Sequence, residues 1–453
     1  MVPAELTDVD EAHAVAIHAQ AASARALVRN MTFSVRGRTP FRHRHVARSG
    51  IAPNLPSMRA LLIVIAALGL ALPRSSAAQL PMDFAAAYTR LREGPAHSAD
   101  VPRGQMEKTR ANRDGLEHRY VLIVPEDYDP SRRYPVAFYL HGGIFRPDPE
   151  PGGGWWRNYD VIMGHDRIAV VPASWGESLW WQASQVENLR GILSDVKRVY
   201  NVDENRVMMF GTSDGGTGAY FLAFKDTTPW AAFLPFIGDP RVLLNPANRG
   251  DGDVHLANLT NKPLFIVNAE EDRLYPVRQI IPFLGALENV GADFEFTPKP
   301  GGHSTSWWPE EEANIERFIA AHARNPHPER IFWATERTDR YNRAHWVVID
   351  ELGPLAGDEA RSHLASVTMG SAGIVDARRD GNTVTLLAYG VRRLRLLVSP
   401  DAFDLTQPVR VLANGEAVFE GMVSPDLETL RKWAAVDEDR TMLYAAEIAI
   451  ELD

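Results

Sequence analysis

From residue 120 to residue 324 short apolar runs alternate with helical patterns, and this alternation limits the fold more than any other feature of the chain. The strand candidates are YVLIV (120–124), VAFYL (136–140), IAVVP (168–172), RVMMF (206–210), FLPFI (233–237), LFIV (264–267) and FEF (294–296). Most are unbroken apolar runs, the pattern of strands buried on both faces. Helical stretches lie between several of them, including QVENLRGILSDVKRVY (185–200) and QIIPFLGALENVG (279–291). Strands alternating with helices predict an α/β fold with a doubly wound, mostly parallel sheet. PEEEANIERFIAAHAR (309–324) predicts one more helix, with Pro309 near its first turn.

After NPHPER (325–330) the pattern changes. The runs ASVTM, NTVTLLAY, RLRLLVS and VRVLANGEAVF alternate, with turn signals at Asp380-Gly381 and Asn414-Gly415. Asn-Gly between alternating runs marks a hairpin. Residues 327–453 are therefore expected to form a small, sandwich-like antiparallel β domain. SPDLETLRKWAA (424–435) would be a helix within it, capped by Ser424 with Pro425 at its first position. Residues 79–326 are left as the α/β domain.

The N-terminal part reads differently. Met58 opens MRALLIVIAALGLALPRSSAAQ, with a basic flank at Arg59, a 13-residue apolar run (60–72) and small residues before Gln79. This is the anatomy of a signal peptide over residues 58–78, and the run is too short for a comfortable membrane anchor. It predicts a secreted or periplasmic protein. Residues 1–57 are expected to be a non-native extension or leader, with translation starting at Met58. Without residues 1–78 the remainder holds 39 basic and 54 acidic residues, a net charge of −15. Nucleic-acid binding relies on basic patches, so no nucleic-acid partner is expected. The chain contains no cysteine, which removes disulfides, thiolate metal sites and a cysteine nucleophile. No metal cluster or phosphate loop is apparent, and no cofactor is implied.

Chemistry enters at residues 206–220, RVMMFGTSDGGTGAY. An apolar run ends, and Gly-Thr-Ser-Asp-Gly-Gly opens a helical segment. At a strand–turn–helix corner a serine projects its hydroxyl above the sheet, and the residues two before and two after it crowd together. Gly211 and Gly215 meet that demand around Ser213. The following helix directs its N-terminal dipole and free N–H groups to the same place. A serine needs a base, and His303, after a strand and two glycines, is placed to serve. The base needs an acid, for which NAEEDRLYP offers Asp272, with Glu271 as the alternative. A tetrahedral oxyanion needs donors: the backbone N–H of Asp214, and one from Gly143 or Ile144 in YLHGGIF. The sequence does not choose between those two. His141 reads as a brace for that loop. Trp180, Trp181, Trp307 and Trp308 are expected to border the substrate pocket, where an aromatic wall would suit aromatic acyl groups or sugar rings. Ordinary packing is the competing account of them.

These motifs resemble the alpha/beta-hydrolase superfamily, and more narrowly the secreted esterases related to polyhydroxybutyrate depolymerases, feruloyl esterases and dienelactone hydrolases. Those enzymes share a catalytic core with prolyl oligopeptidase-type peptidases. The resemblance covers residues 120–324 and rests on YVLIVPEDYDP, YLHGG, VDENRVMMFGTSDGGTGAY, NAEEDRLYP and GGH. It implies a serine hydrolase with Ser213, Asp272 and His303 as triad, acting on a small-molecule or polymeric ester. Two alternatives stand beside it: a serine peptidase of prolyl oligopeptidase-like type, and a non-catalytic binding protein on a hydrolase fold. Asp214, where many peptidases of the group carry an aromatic residue, and the absence of room for a propeller weigh against the first. An intact set of nucleophile, base and acid weighs against the second.

Overall fold

The computed structural model describes residues 82–155, 166–354 and 372–452. The expected leader (1–57), the expected signal peptide (58–78), Trp156 and the ASVTM run lie outside the described residues.

The first sheet is built from β1 (Gly104–Ala111), β2 (Glu117–Val124), β3 (Tyr134–Leu140), β4 (Ile168–Pro172), β5 (Val202–Thr212), β6 (Ala232–Phe236), β7 (Leu264–Ala269) and β8 (Phe294–Lys299). Their order in the sheet is β1-β2-β4-β3-β5-β6-β7-β8. β1 and β2 are antiparallel to their neighbours, and every later pairing in this sheet is parallel. Strands β4, β6 and β7 are buried at every position, as their unbroken apolar runs require.

Helices cover both faces. α1 (Met82–Glu93), α2 (Ala183–Val199), α3 (Asp214–Lys225), α4 (Val277–Val290) and α5 (Trp308–Ala321) come in that chain order. One face packs Phe138, Val170 and Met209 of the strands against Leu189, Ile192 and Leu193 of α2 and Phe221 of α3. The other packs Phe210, Leu234 and Phe265 against Ile315 and Phe318 of α5. α3 is buried along its whole length, so the corner that opens it is held in the middle of the sheet.

The C-terminal unit contains β9 (Arg330–Thr335), β10 (Arg343–Ala344), β11 (Val347–Leu352), β12 (Gly373–Asp380), β13 (Thr383–Tyr389), β14 (Val391–Val398), β15 (Val409–Ala413), β16 (Glu416–Gly421), α6 (Leu427–Asp437) and β17 (Ala446–Glu451). Two sheets, β10-β11-β14-β17 and β16-β15-β13-β12-β9, enclose one apolar core that includes Trp333, Trp346, Leu394, Leu396 and Val411. The pairing is antiparallel except between β13 and β15, which run parallel. The Asn414-Gly415 turn joins β15 to β16 with both residues at positive φ (50° and 92°), the geometry that makes Asn-Gly a hairpin signal. The helix cap differs from expectation. α6 starts at Leu427, and Asp426, not Ser424, accepts the N–H groups of Glu428 and Thr429. A carboxylate beside the free N–H groups also complements the helix dipole.

The two units meet through buried polar contacts. Arg324 reaches Asp439 at 2.7 Å with both side chains almost wholly buried. Lys225 reaches Glu336 at 2.6 Å, and Arg440 reaches Glu204 at 2.5 Å. Asn258 bonds both backbone groups of Ala334 in β9. α1, although it lies within residues 79–326, packs Phe84 and Tyr88 on Leu430, Leu443 and Ala445 of the C-terminal unit.

Candidate active site

β5 ends at Thr212 and α3 begins at Asp214, leaving Ser213 alone in the corner with φ +57° and ψ −120°. A non-glycine residue at positive φ costs on the order of 1–3 kcal/mol and persists only where its surroundings fix it. Here the Ser213 N–H donates to the Phe236 carbonyl of β6 at 2.9 Å. The flanking glycines have no alternative. A Cβ on Gly211 would lie 2.0 Å from the Gly215 carbonyl oxygen, and one on Gly215 would lie 1.8 Å from that of Leu140.

His303 sits in the loop between β8 and α5. One ring nitrogen, Nε2, is 2.7 Å from Ser213 Oγ, and the other, Nδ1, is 2.8 Å from Asp272 Oδ2. Asp272 is buried in the turn after β7, and its second oxygen accepts the N–H groups of Leu274 at 2.8 Å and Tyr275 at 3.0 Å. Burial alone would raise this carboxyl. The bond and charge of His303 and the two backbone donors outweigh it and hold Asp272 below its ordinary value. Glu271, the alternative acid, points elsewhere: its carboxylate accepts the Gly301 N–H and its backbone N–H bonds the Gly301 carbonyl at 3.0 Å. The structure therefore brings Ser213, His303 and Asp272 into one hydrogen-bonded chain and leaves Glu271 out of it. The Tyr275 ring stands 5.7 Å from that of His303.

The loop after β3 approaches the serine from the other side. A Cβ on Gly142 would lie 2.8 Å from Ser213 Cβ, so only glycine permits this approach. Gly143 has φ +66°. Ile144 is corrected as an oxyanion donor. It is wholly buried, and its N–H donates to Asp214 Oδ2 at 3.1 Å. Of the two expected donors on this loop, the Gly143 N–H is the one without a partner among the described residues, and the Asp214 N–H stands at the first position of α3, where no intrahelical carbonyl is available. The buried Tyr275 hydroxyl lies in the field of the Asp214 carboxylate. Burial and the Asp214 charge push that phenol well above its ordinary value. His141 braces the loop, as expected: Nε2 accepts the Ser174 N–H at 3.0 Å and Nδ1 donates to the Gly142 carbonyl at 2.9 Å. Burial pushes it down to about 4, so it stays neutral.

The tryptophan expectation is corrected. Trp180 and Trp181 are 0% exposed, and Trp307 and Trp308 are 4% and 6% exposed. Trp180 donates to the His141 carbonyl at 2.9 Å and Trp181 to that of Asn248 at 2.8 Å. Trp307 and Trp308 pack edge-on against Phe236, with centroids 5.3 and 5.8 Å away. These rings are packed in the interior, the competing account the sequence left open. Phe145 and Arg146, exposed and directly following His-Gly-Gly-Ile, were missed by sequence reasoning; the Arg146 guanidinium lies against Gly143. Among the described residues, no group of three or more His, Cys, Asp or Glu side chains is placed to hold a metal.

No protein-family model matches the chain, nor does any curated protein. Among solved structures it is similar to a thermostable esterase (22% identity over 49% of this chain and 63% of that one, TM-score 0.39). It is also similar to a ferulic acid esterase (18%, 48% and 98%, 0.38) and to an acylaminoacyl peptidase from Pyrococcus horikoshii (17%, 49% and 43%, 0.37). The match spans less than two thirds of the first and third of these. Esterases and a peptidase stand side by side, so the likeness does not separate the two chemistries. The order of the eight strands and the serine corner between β5 and α3 decide the fold class. The fold is that of the alpha/beta hydrolases. In chain order the serine, acid and histidine follow the sequence expected of that fold.

Proposed function

We propose that this alpha/beta-hydrolase-fold protein is a serine hydrolase that cleaves carboxylic esters through an acyl-enzyme. The observation that carries the reading is the continuous chain from Ser213 Oγ through His303 to Asp272, with both links under 3 Å. In it His303 takes the serine proton as the hydroxyl attacks the ester carbonyl, and Asp272 holds the imidazole in the tautomer that accepts at Nε2. Negative charge then forms on the former carbonyl oxygen, within reach of the Gly143 and Asp214 N–H groups. His303 returns the proton to the leaving alcohol, and water repeats the sequence on the acyl-serine. The secreted setting of the enzyme rests on the signal-peptide pattern of residues 58–78.

A fluorophosphonate probe tests the reading. It is expected to label Ser213, and Ser213→Ala is expected to abolish labelling and to lower turnover by about 10⁶. Labelling that persists in the alanine variant would discard the assignment. The choice of ester over amide is tested by kcat/KM for an ester and an amide of the same acyl group. An amide nitrogen must be protonated as it leaves, which demands tighter placement of substrate and base. A ratio far above one is expected, and a ratio near one would move the protein to the peptidases.

A further inference from the structure

We propose that Arg146 anchors a carboxylate carried by the substrate, so that the preferred esters are anionic ones; the proposal rests on the esterase reading above. The guanidinium lies against the loop that supplies the oxyanion donor. A Cβ on Gly143 would meet Arg146 Nη2 at 2.7 Å, while a Cβ on the preceding Gly142 would meet Ser213 Oγ at 3.4 Å. With neighbouring Cα atoms about 3.8 Å apart, the guanidinium is at most about 13 Å from the nucleophile. That span fits an acyl chain of a few carbons ending in a carboxylate.

The charge on Arg146 is available. Its side chain is exposed and makes no ion pair or hydrogen bond among the described residues. A guanidinium offers a rigid fork matched to a carboxylate. Among the described residues no carboxylate forms an ion pair with it, neither Asp148 two residues on nor Glu177 beside Gly176. His141, packed beneath the loop, is neutral. Asp214 is buried, accepts the Ile144 N–H and makes no ion pair to Arg146. Arg249 adds a second guanidinium to the same rim: it donates to the Gly176 carbonyl at 2.8 Å, and the Gly176 N–H donates to the Arg146 carbonyl at 2.8 Å. Phe145, the residue before Arg146, is exposed and offers apolar surface on the same loop for the chain between ester and carboxylate.

The test compares two probes, the 4-nitrophenyl monoester of adipic acid and its uncharged primary-amide analogue. Wild-type protein is expected to favour the anionic probe by about 10-fold or more in kcat/KM, the lower end of what a hydrogen bond to a charged group contributes. Salt at high concentration should shrink the preference. Arg146→Gln should erase it while leaving the rate on the amide probe unchanged, which also shows that the variant is folded, and Arg146→Lys should keep part of it. Equal cleavage of both probes by the wild type, with Ser213 still labelled, would overturn the anion site and leave the esterase reading standing. An equal loss on both probes in Arg146→Gln would also overturn it, by assigning Arg146 to the oxyanion or the loop instead. Absence of both cleavage and Ser213 labelling would defeat the esterase reading and this proposal together.

Discussion

The Asp214 carboxylate accepts the Ile144 N–H at 3.1 Å, so the residue that follows the nucleophile holds the loop that faces it. Tyr275, three residues beyond Asp272 and bonded to it through its backbone N–H, lies in the field of the same carboxylate. The Asp214 side chain thus ties the loop after β3 to the start of α3. Asp214→Ala would orphan the buried Ile144 N–H, a penalty of about 1–3 kcal/mol. If the loop relaxes to relieve it, Gly143 moves from its donor position. A fall of roughly 10–100-fold in kcat on a neutral activated ester is expected. Asp214→Asn keeps an acceptor oxygen and should lose far less. Equal losses in the two variants would show that the charge, not the hydrogen bond, matters.

The separation of Asp272 from Glu271 gives a sharper comparison. Asp272→Asn presents an amide to His303 Nδ1 and favours the wrong tautomer, with an expected cost of about 10⁴ in kcat. Glu271 is exposed and engaged with Gly301 on the other side of the turn, so Glu271→Gln should leave kcat within a few-fold of wild type. Steady-state rates on one activated ester decide between them. A larger effect from Glu271→Gln would mean that the acid loop is arranged differently in solution.

Gly215 offers a test of the corner itself. Its missing side chain is what allows α3 to start against β3, since a Cβ there would lie 1.8 Å from the Leu140 carbonyl oxygen. No flexible side chain can give way, because the obstacle is backbone. Gly215→Ala is therefore expected to lower stability by more than about 3 kcal/mol, above the usual range for overpacking, and to reduce Ser213 labelling in whatever protein folds. Urea unfolding midpoints measure the first effect. A variant of near wild-type stability would contradict the crowding.

Much of this arrangement was legible in the sequence because it depends on crowding and on buried strands. Gly211 and Gly215 around Ser213, and the apolar runs of β4, β6 and β7, have few interchangeable solutions. What escaped was governed by direction. β1 (GQMEKTRA) alternates between half-buried and exposed positions and carries no apolar run, so a search for buried strands passes over it. Trp180 and Trp181 were visible as loop residues, but composition does not say whether a ring faces inward, and both are wholly buried. Asp214 was read for its backbone N–H and against the aromatic residue of related peptidases, not for its carboxylate, which engages the Ile144 N–H. Asp426 displaced Ser424 as helix cap because α6 starts after Pro425, not at it.

The junction between the two units should make stability depend on acid. Glu336 accepts Lys225 at 2.6 Å and His255 at 3.0 Å, and the Lys225 side chain is only 2% exposed. Burial by itself would raise the Glu336 carboxyl. The bonds from His255 and Lys225 and the lysine charge prevail, lowering it from 4.5 to about 2. A carboxyl depressed in the folded state stabilises fully above its unfolded value and loses that contribution as pH falls from 4.5 towards 2. Lys225 is protonated in both states across that window and adds nothing to the slope there. Replacing Glu336 with Gln strands a buried ammonium, at a cost of about 3–5 kcal/mol near neutral pH. Urea midpoints at pH 6 and pH 3.5 should therefore show the variant much weaker at pH 6 and the gap to wild type narrowed at pH 3.5. A gap that stays the same at both pH values would mean that the Glu336 carboxylate gains no stabilising charge interaction at the junction.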